Sequence, residues 1–396
     1  MPASACTTSR FLCACHWLSQ CCITLLFVLC VAIFTGCPSK SKPAIPDDGE
    51  LANTPPNRAN VTLRVLVVND PPLVEAINRL RGEWAERSGG QLNATPIAWQ
   101  DLVQSNSPDA DLIVFPSRYL GELCTRKLLR PVRASVLEDD EFKAADIFPL
   151  VRNELLKWGR ETYALPLGVD PSAISPTIKS SPAVALLAAA APHAISNEHL
   201  GVLFDTDTMK SRIAEPAFVD ALSHLLETKP AQDTKPTSPP ALEARIPVLG
   251  DADRLVAVTA SSRNAASAFK LLKWLAQPDT ESQFARVGGQ WLPPRRSIAT
   301  SSAWYDPSLS ATERAERGKL VDAVLSGERA LIIPRIPGID DYLGALNEAV
   351  KSALDDKTPP SAALQTVADR WEKITDRLGR DKQRDAYQKH LGISDD

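Results

Sequence analysis

The sequence predicts an α/β protein large enough for two lobes, placed behind an N-terminal leader. Three observations predict it. The chain has 396 residues, more than one ordinary core holds. After residue 60, short apolar runs of strand length alternate with runs of helical period, the pattern that builds α/β layers. The composition, 44% apolar and 23% charged, is that of a soluble globular protein. The net charge of −4 is mild, and no basic stripe occurs, which excludes nucleic acid as a partner.

The leader comes first. Eight cysteines lie at 6, 13, 15, 21, 22, 30, 37 and 124, seven of them within the first 37 residues. Removal of that stretch leaves Cys37 and Cys124, too few for a disulfide framework or a cysteine metal cluster. Residues 21–35 are uncharged and apolar, short for a membrane span but suited to the apolar region of a signal peptide. The run ends Phe34-Thr35-Gly36-Cys37. Small residues before a cysteine let a peptidase seat the chain and free the thiol for lipid, and the pattern resembles a bacterial lipobox. Phe34 stands where leucine is usual, and Arg10 is the single charge ahead of the apolar run. An uncleaved anchor or a simple signal is the alternative. Residues 1–36 are therefore expected to be a signal peptide, with Cys37 lipidated. Residues 37–60, rich in Pro and polar side chains, are expected to be a tether.

The folded part opens with V-T-L-R-V-L-V-V at 61–68, a buried strand. Asp70 before Pro71 and Pro72 is a helix start. Leu73, Ile77, Leu80 and Trp84 follow at helical spacing up to Ser88-Gly89-Gly90. Strands are expected over 92–98 and 111–115, and a helix over 117–127. An α/β lobe of this order binds ligands at the carboxyl ends of its strands. Residues 163–168 read as an extended crossing, 183–191 as a helix, and Pro216 as the start of another. The stretch 228–244 is Pro-rich loop. A core strand covers 255–260, and Ser261 or Ser262 caps a helix at 264–277 that Pro278 ends. Helices over 339–354, 360–378 and 381–391 complete the chain.

Five segments in order resemble the family 1 bacterial extracellular solute-binding proteins, which include the maltose binders. They are the opening strand with N-D-P-P, D-A-D-L-I-V-F-P-S-R-Y-L-G-E-L at 109–123, W-G-R-E-T-Y-A-L-P-L-G at 158–168, R-L-V-A-V-T-A-S-S-R-N-A-A-S-A-F-K-L-L-K-W-L-A at 254–276, and I-I-P-R-I-P-G-I-D-D-Y-L-G-A-L-N-E-A-V followed by the segment up to 375. The resemblance implies a periplasmic-binding-protein-like fold, two α/β lobes with a ligand cleft between them. Lobe one would take 61–168 and 246–305, and lobe two 169–245 and 306–396. It implies a monomeric receptor, without cofactor, that closes on a small solute, a sugar by default, and delivers it to an ABC permease, with the lipid on Cys37 holding it to the membrane. The sequence departs from the family at Val169 to Ser181 and at 228–244, where Pro-rich stretches replace the expected strands and helix, so lobe two is expected to be reduced.

Candidate ligand-binding residues follow. Asn69 and Asp70 end the first strand, where relatives place polar contacts, although Asp70 also suits a helix cap. Ser117, Arg118 and Tyr119 follow the strand ending in Phe115-Pro116. There relatives carry an acid and an arginine, so Arg118 matches and Ser117 does not. Asp170 lies at the crossing. Trp291, between two glycines and two prolines, is a loop aromatic suited to stacking on a sugar. Tyr342 opens a helix where relatives present an aromatic face. Trp84, Trp158, Trp274 and Trp371 are assigned to packing. Asp139-Asp140 and Asp340-Asp341 are adjacent carboxylates with diverging side chains, expected to be solvated turn or helix-start charges.

The enzyme reading lacks a constellation: no G-x-S-x-G, H-E-x-x-H, phosphate loop or dinucleotide fingerprint occurs. His193, His199, His224 and His390 form no ligand spacing, and surface or helix-end positions explain them. The stronger rival is a ligandless scaffold of this type acting as an interaction or sensor lipoprotein.

Overall fold

The computed structural model describes residues 61–174, 181–195, 200–228, 246–286, 291–300, 310–356 and 358–393. The expected leader, Cys37, the tether and nearly all of the Pro-rich stretch 228–244 lie outside the described residues.

The opening run forms β1 (Thr62–Val68). Leu63, Val65 and Val67 alternate inward and are fully buried, as a period of two requires. Asp70 caps α1 (Pro71–Arg79), its Oδ1 accepting from the Leu73 N–H at 3.2 Å. The helical run expected as one piece is two, because the chain breaks at Leu80 before α2 (Arg81–Ser88). Gly89 ends α2 in the left-handed conformation, φ 72°. Then come β2 (Gln91–Ile97), α3 (Trp99–Gln104), β3 (Leu112–Pro116), a 3-10 turn at Ser117–Tyr119, α4 (Leu120–Thr125) and α5 (Ala134–Leu137). A small hairpin joins β4 (Lys157–Trp158) to β5 (Glu161–Thr162), and β6 (Leu165–Gly168) is the extended crossing.

Farther on, β7 (Val248–Leu249) precedes β8 (Arg254–Val258) and α8 (Ala265–Leu275). Neither serine caps α8. Asn264 holds that position, and Ser262 Oγ instead donates to Asp111 Oδ1 at 2.7 Å. Pro278 ends one helix but also starts the next, α9 (Pro278–Arg286).

Strands β2-β1-β3-β8-β6 form one five-stranded sheet. β1 runs parallel to β2 and β3, whereas β8 runs antiparallel to both β3 and β6. The central strands are buried on both faces. Leu112, Ile113, Val114 and Phe115 of β3 and Leu255 to Val258 of β8 are fully covered, each large side chain contributing roughly 1.5–3 kcal/mol. Trp84 packs on Trp274 at 5.3 Å between centroids, and Trp158 and Trp371 are buried too, as expected of packing residues.

A second group of elements is mainly helical. It contains α6 (Pro182–Ala194), α7 (Pro216–Glu227), α12 (Ile339–Asp356) and α13 (Pro360–Leu378), which pack on one another. The Asn347 side chain of α12 accepts from the Ala183 N–H of α6 at 2.8 Å. β7 pairs in parallel with β9 (Leu331–Ile332) and lies against α6, so this short strand sits with the helices rather than in the large sheet. Ahead of β9 come α10 (Arg296–Ala299) and α11 (Ala311–Leu325), the latter started by a capping box of Ser310 and Glu313. The last helix, α14 (Arg380–His390), packs on α13, α4 and β4. Buried Arg335 fixes it, donating to Leu155 O at 2.7 Å and to His390 Nδ1 at 3.3 Å. Burial and the Arg335 charge hold His390 well below its ordinary pKa, so it is neutral and able to accept. The described residues all fall in one compact unit, and no helix among them is long and apolar enough to cross a membrane.

Candidate functional site

Most of the expected site residues meet at one end of the large sheet. Antiparallel β8 explains why. Its first residue, Arg254, lies opposite Pro116 at the end of β3 and opposite Gly168 at the end of β6. The loop 250–253 therefore lies at the carboxyl ends of β3 and β6, and Arg254 reaches Asp70 beyond the end of β1.

Asp253 is the centre of this end. It is 1% exposed and accepts three hydrogen bonds, from Ser117 Oγ at 3.0 Å, from the Gly250 N–H at 2.8 Å and from the Asp170 N–H at 3.0 Å. Burial raises its carboxyl to about 6, with the Asp170 charge adding to the rise and the three donors opposing it. Asp170 itself caps the turn at Pro171–Ala173, Oδ1 accepting from the Ser172 N–H at 2.9 Å.

Asp70 does more than cap. Its Oδ2 takes Arg254 Nε at 2.8 Å in a pair that is nearly fully buried. The Arg254 guanidinium in turn lies over the Trp291 ring, 4.5 Å from its centroid. Two backbone bonds between Val169 and Leu292, each 2.8 Å, seat half-buried Trp291 against Gly168. A Cβ on Gly168 would lie 2.8 Å from the Trp291 Cβ, so the close approach requires glycine there.

Arg118 spends all three guanidinium nitrogens. Nε donates to Asp340 Oδ1 at 3.0 Å, Nη1 to Asp251 Oδ1 at 3.0 Å and Nη2 to Tyr119 OH at 3.1 Å. Burial works against its charge, but Asp251, Tyr119 and Asp340 outweigh burial and hold it above the usual value. Tyr119 OH donates onward to Asp340 Oδ2 at 2.7 Å. Its ring lies between the Arg118 guanidinium, 4.7 Å away, and Trp99, stacked at 3.7 Å and 6°. Burial raises Asp251, with Asp170 and Asp340 adding to the rise and Arg118 opposing it. Five carboxyls, of Asp70, Asp170, Asp251, Asp253 and Asp340, thus surround two guanidinium groups, with Trp291 and exposed Asn69 at the margin. Asn69 holds a left-handed backbone, φ 52°, that asparagine tolerates.

Tyr342 does not join them. It is 1% exposed and packs edge-on against Phe204 and Trp371, its hydroxyl bonded to Thr375 Oγ1 at 3.0 Å. Its ring offers no open face to a ligand. Burial pushes the Cys124 thiol well above its usual range, which leaves it a poor nucleophile. Among the described residues, no group of three or more His, Cys, Asp or Glu is placed to hold a metal ion.

Sequence reasoning missed Asp251, Asp253, Arg254, Trp99 and the role of Asp340. The signal for the first three was D-A-D-R directly ahead of a core strand. Its meaning depended on that strand running antiparallel to β3.

No family model matches the chain. No curated protein matches it either. Solved structures do. The sugar-binding protein MalE of Xanthomonas citri aligns with a TM-score of 0.60 at 16% identity, over 80% of this chain and 98% of that one. The GacH receptor of Streptomyces glaucescens, solved unliganded and with acarbose, aligns at 0.55 with 14% identity, over 80% and 98%. An ABC-transporter solute-binding protein of Agrobacterium radiobacter, in complex with ribitol, aligns at 0.53 with 16% identity, over 79% and 98%. The chain has the periplasmic-binding-protein-like fold, and the likeness is one of fold.

Proposed function

We propose that this chain is an extracytoplasmic solute-binding protein of an ABC import system, taking a polyhydroxylated solute of the carbohydrate class. One observation carries the reading. In a fold that MalE and the acarbose receptor share, the carboxyl ends of β1, β3 and β6 bring carboxylates, guanidinium groups and a half-buried tryptophan together. Sugars are held by that combination, a ring face on an aromatic and hydroxyls on charged hydrogen-bonding groups. The sheet-bearing segments 61–168 and 246–305 would form one lobe, and 169–245 with 306–396 the other, except that β7 pairs on the second side. A lipid on Cys37, after removal of residues 1–36, would hold the protein at the membrane, and the receptor would act as a monomer toward its permease.

A second reading, a ligandless scaffold that docks a membrane partner, draws on a specific observation. Asp70, Arg118 and Arg254 already satisfy one another or their neighbours. Thermal unfolding of the purified protein against mono- and oligosaccharides, polyols, amino acids and polyamines separates the two. A solute at a hundredfold excess over its Kd stabilises by about 2.7 kcal/mol, a rise of a few degrees. A selective rise supports the receptor; a cooperative transition that no solute moves supports the scaffold.

A further inference from the structure

Two adjacent carboxylates at the start of α12 point to different neighbours. Asp341 pairs with Arg377 of α13, inside the helical group, with both side chains at least half exposed. Asp340 reaches Arg118 and Tyr119, in the turn that follows β3 of the large sheet. Two residues before Asp340, the Gly338 N–H donates to Glu122 Oε2 of α4 at 3.2 Å. Both aspartates are exposed charges of the first helix turn, as expected, but each also holds a cationic partner, and Asp340 ties the helical group to the polar end of the sheet.

From this geometry we infer that Arg118, Tyr119 and Asp340 form a reversible latch. When it is made, the first turn of α12 is held against the end of β3, and the Arg118 and Tyr119 donors are committed to Asp340. When it opens, the first turn of α12 loosens at Gly338, and the guanidinium Nε and the phenol hydroxyl become free to bind a solute. Three observations make the contact a latch rather than a permanent tie. Asp340 keeps 45% of its side chain exposed, so water replaces its partners at little cost. Arg118 retains Asp251 when Asp340 leaves, so opening strands no buried charge. The joint ahead of α12 is Ile336-Pro337-Gly338, with Gly338 at φ 75°, a conformation in which a glycine absorbs a change of chain direction at low cost.

The latch needs no solute to be tested, so its failure is separate from failure of the solute-binding reading. Amide hydrogen exchange is followed by mass spectrometry on the purified full chain, as wild type, Asp340→Ala and Asp341→Ala. Both variants remove one acidic charge from the first turn of α12, and both sites are half exposed, so the second controls for the helix dipole. Peptides spanning 336–344 exchange about fivefold to tenfold faster in Asp340→Ala than in Asp341→Ala, the loss expected of a charge-assisted, partly exposed contact. Raising salt from 0.05 to about 0.5 M speeds exchange of this segment in wild type and leaves Asp340→Ala unchanged. Equal exchange in the two variants, or a salt response that survives in Asp340→Ala, overturns the latch.

Discussion

The polar end of the sheet and the aromatic cluster of the helical group hold the same residue types in opposite company. At the sheet end, Tyr119 lies under the Arg118 guanidinium and Trp291 under that of Arg254. In the helical group, Phe204 packs on Tyr342, Trp371 and Tyr387 at centroid distances of 5.4, 5.0 and 5.6 Å. The first cluster is arranged by charge, the second by shape. An aromatic beside a cation at the end of a strand is a candidate for a site, whereas an aromatic closed in by other aromatics belongs to a core. Position in the sequence does not separate the two.

The largest effect expected lies in the packed cluster. Trp371→Ala removes a fully buried indole and its 2.9 Å bond to Tyr342 O, and denaturant unfolding should register a loss of about 3–5 kcal/mol. At the polar end, Arg254→Ala leaves Asp70 buried without its cation. A loss of about 3 kcal/mol is expected by the same assay. If Arg254→Ala proves harmless, the sheet end is not held by charge and the contrast collapses.

The pH dependence sharpens the comparison further. Burial raises Asp253 from 3.8 to about 6, so the folded state favours its protonated form. That stabilisation is fully present below pH 3.8 and is lost as pH rises through about 6. Asp253→Asn should remove about 2–3 kcal/mol of pH dependence across that window, read as the difference between the two stability curves. Parallel curves would mean that Asp253 titrates alike in the folded and unfolded states. The smallest effect is that of Tyr342→Phe. It costs about 1 kcal/mol through the lost bond to Thr375 and leaves the sheet end intact.

Much of the fold was legible in the sequence. The run 61–68, the D-L-I-V-F strand and the C-terminal helices are strongly periodic, and periodicity reports which face is buried. The elements that escaped are short or depend on partners. β7 and β9 are two residues each and exist only by pairing with one another. The Ser310-to-Glu313 capping box was a readable start for α11. Of the candidate site, Asp70, Ser117, Arg118, Tyr119, Asp170 and Trp291 come together because each follows or abuts a strand end of one sheet. Asp251, Asp253 and Arg254 precede their strand, and only its antiparallel direction brings them to the same place. Tyr342 matched its helix position, but burial against Phe204, a residue 138 positions away, is a tertiary fact that no local pattern carries.

The central claim, that the polar end of the sheet takes the solute, is tested most directly by calorimetric titration. The solute identified by thermal shift is titrated into wild type, Trp291→Ala and Tyr342→Phe. Trp291→Ala should abolish the binding heat or weaken affinity at least about tenfold through loss of the stacking face, while Tyr342→Phe binds as wild type does. Unchanged binding in Trp291→Ala together with loss in Tyr342→Phe would contradict the account and place the site in the helical group.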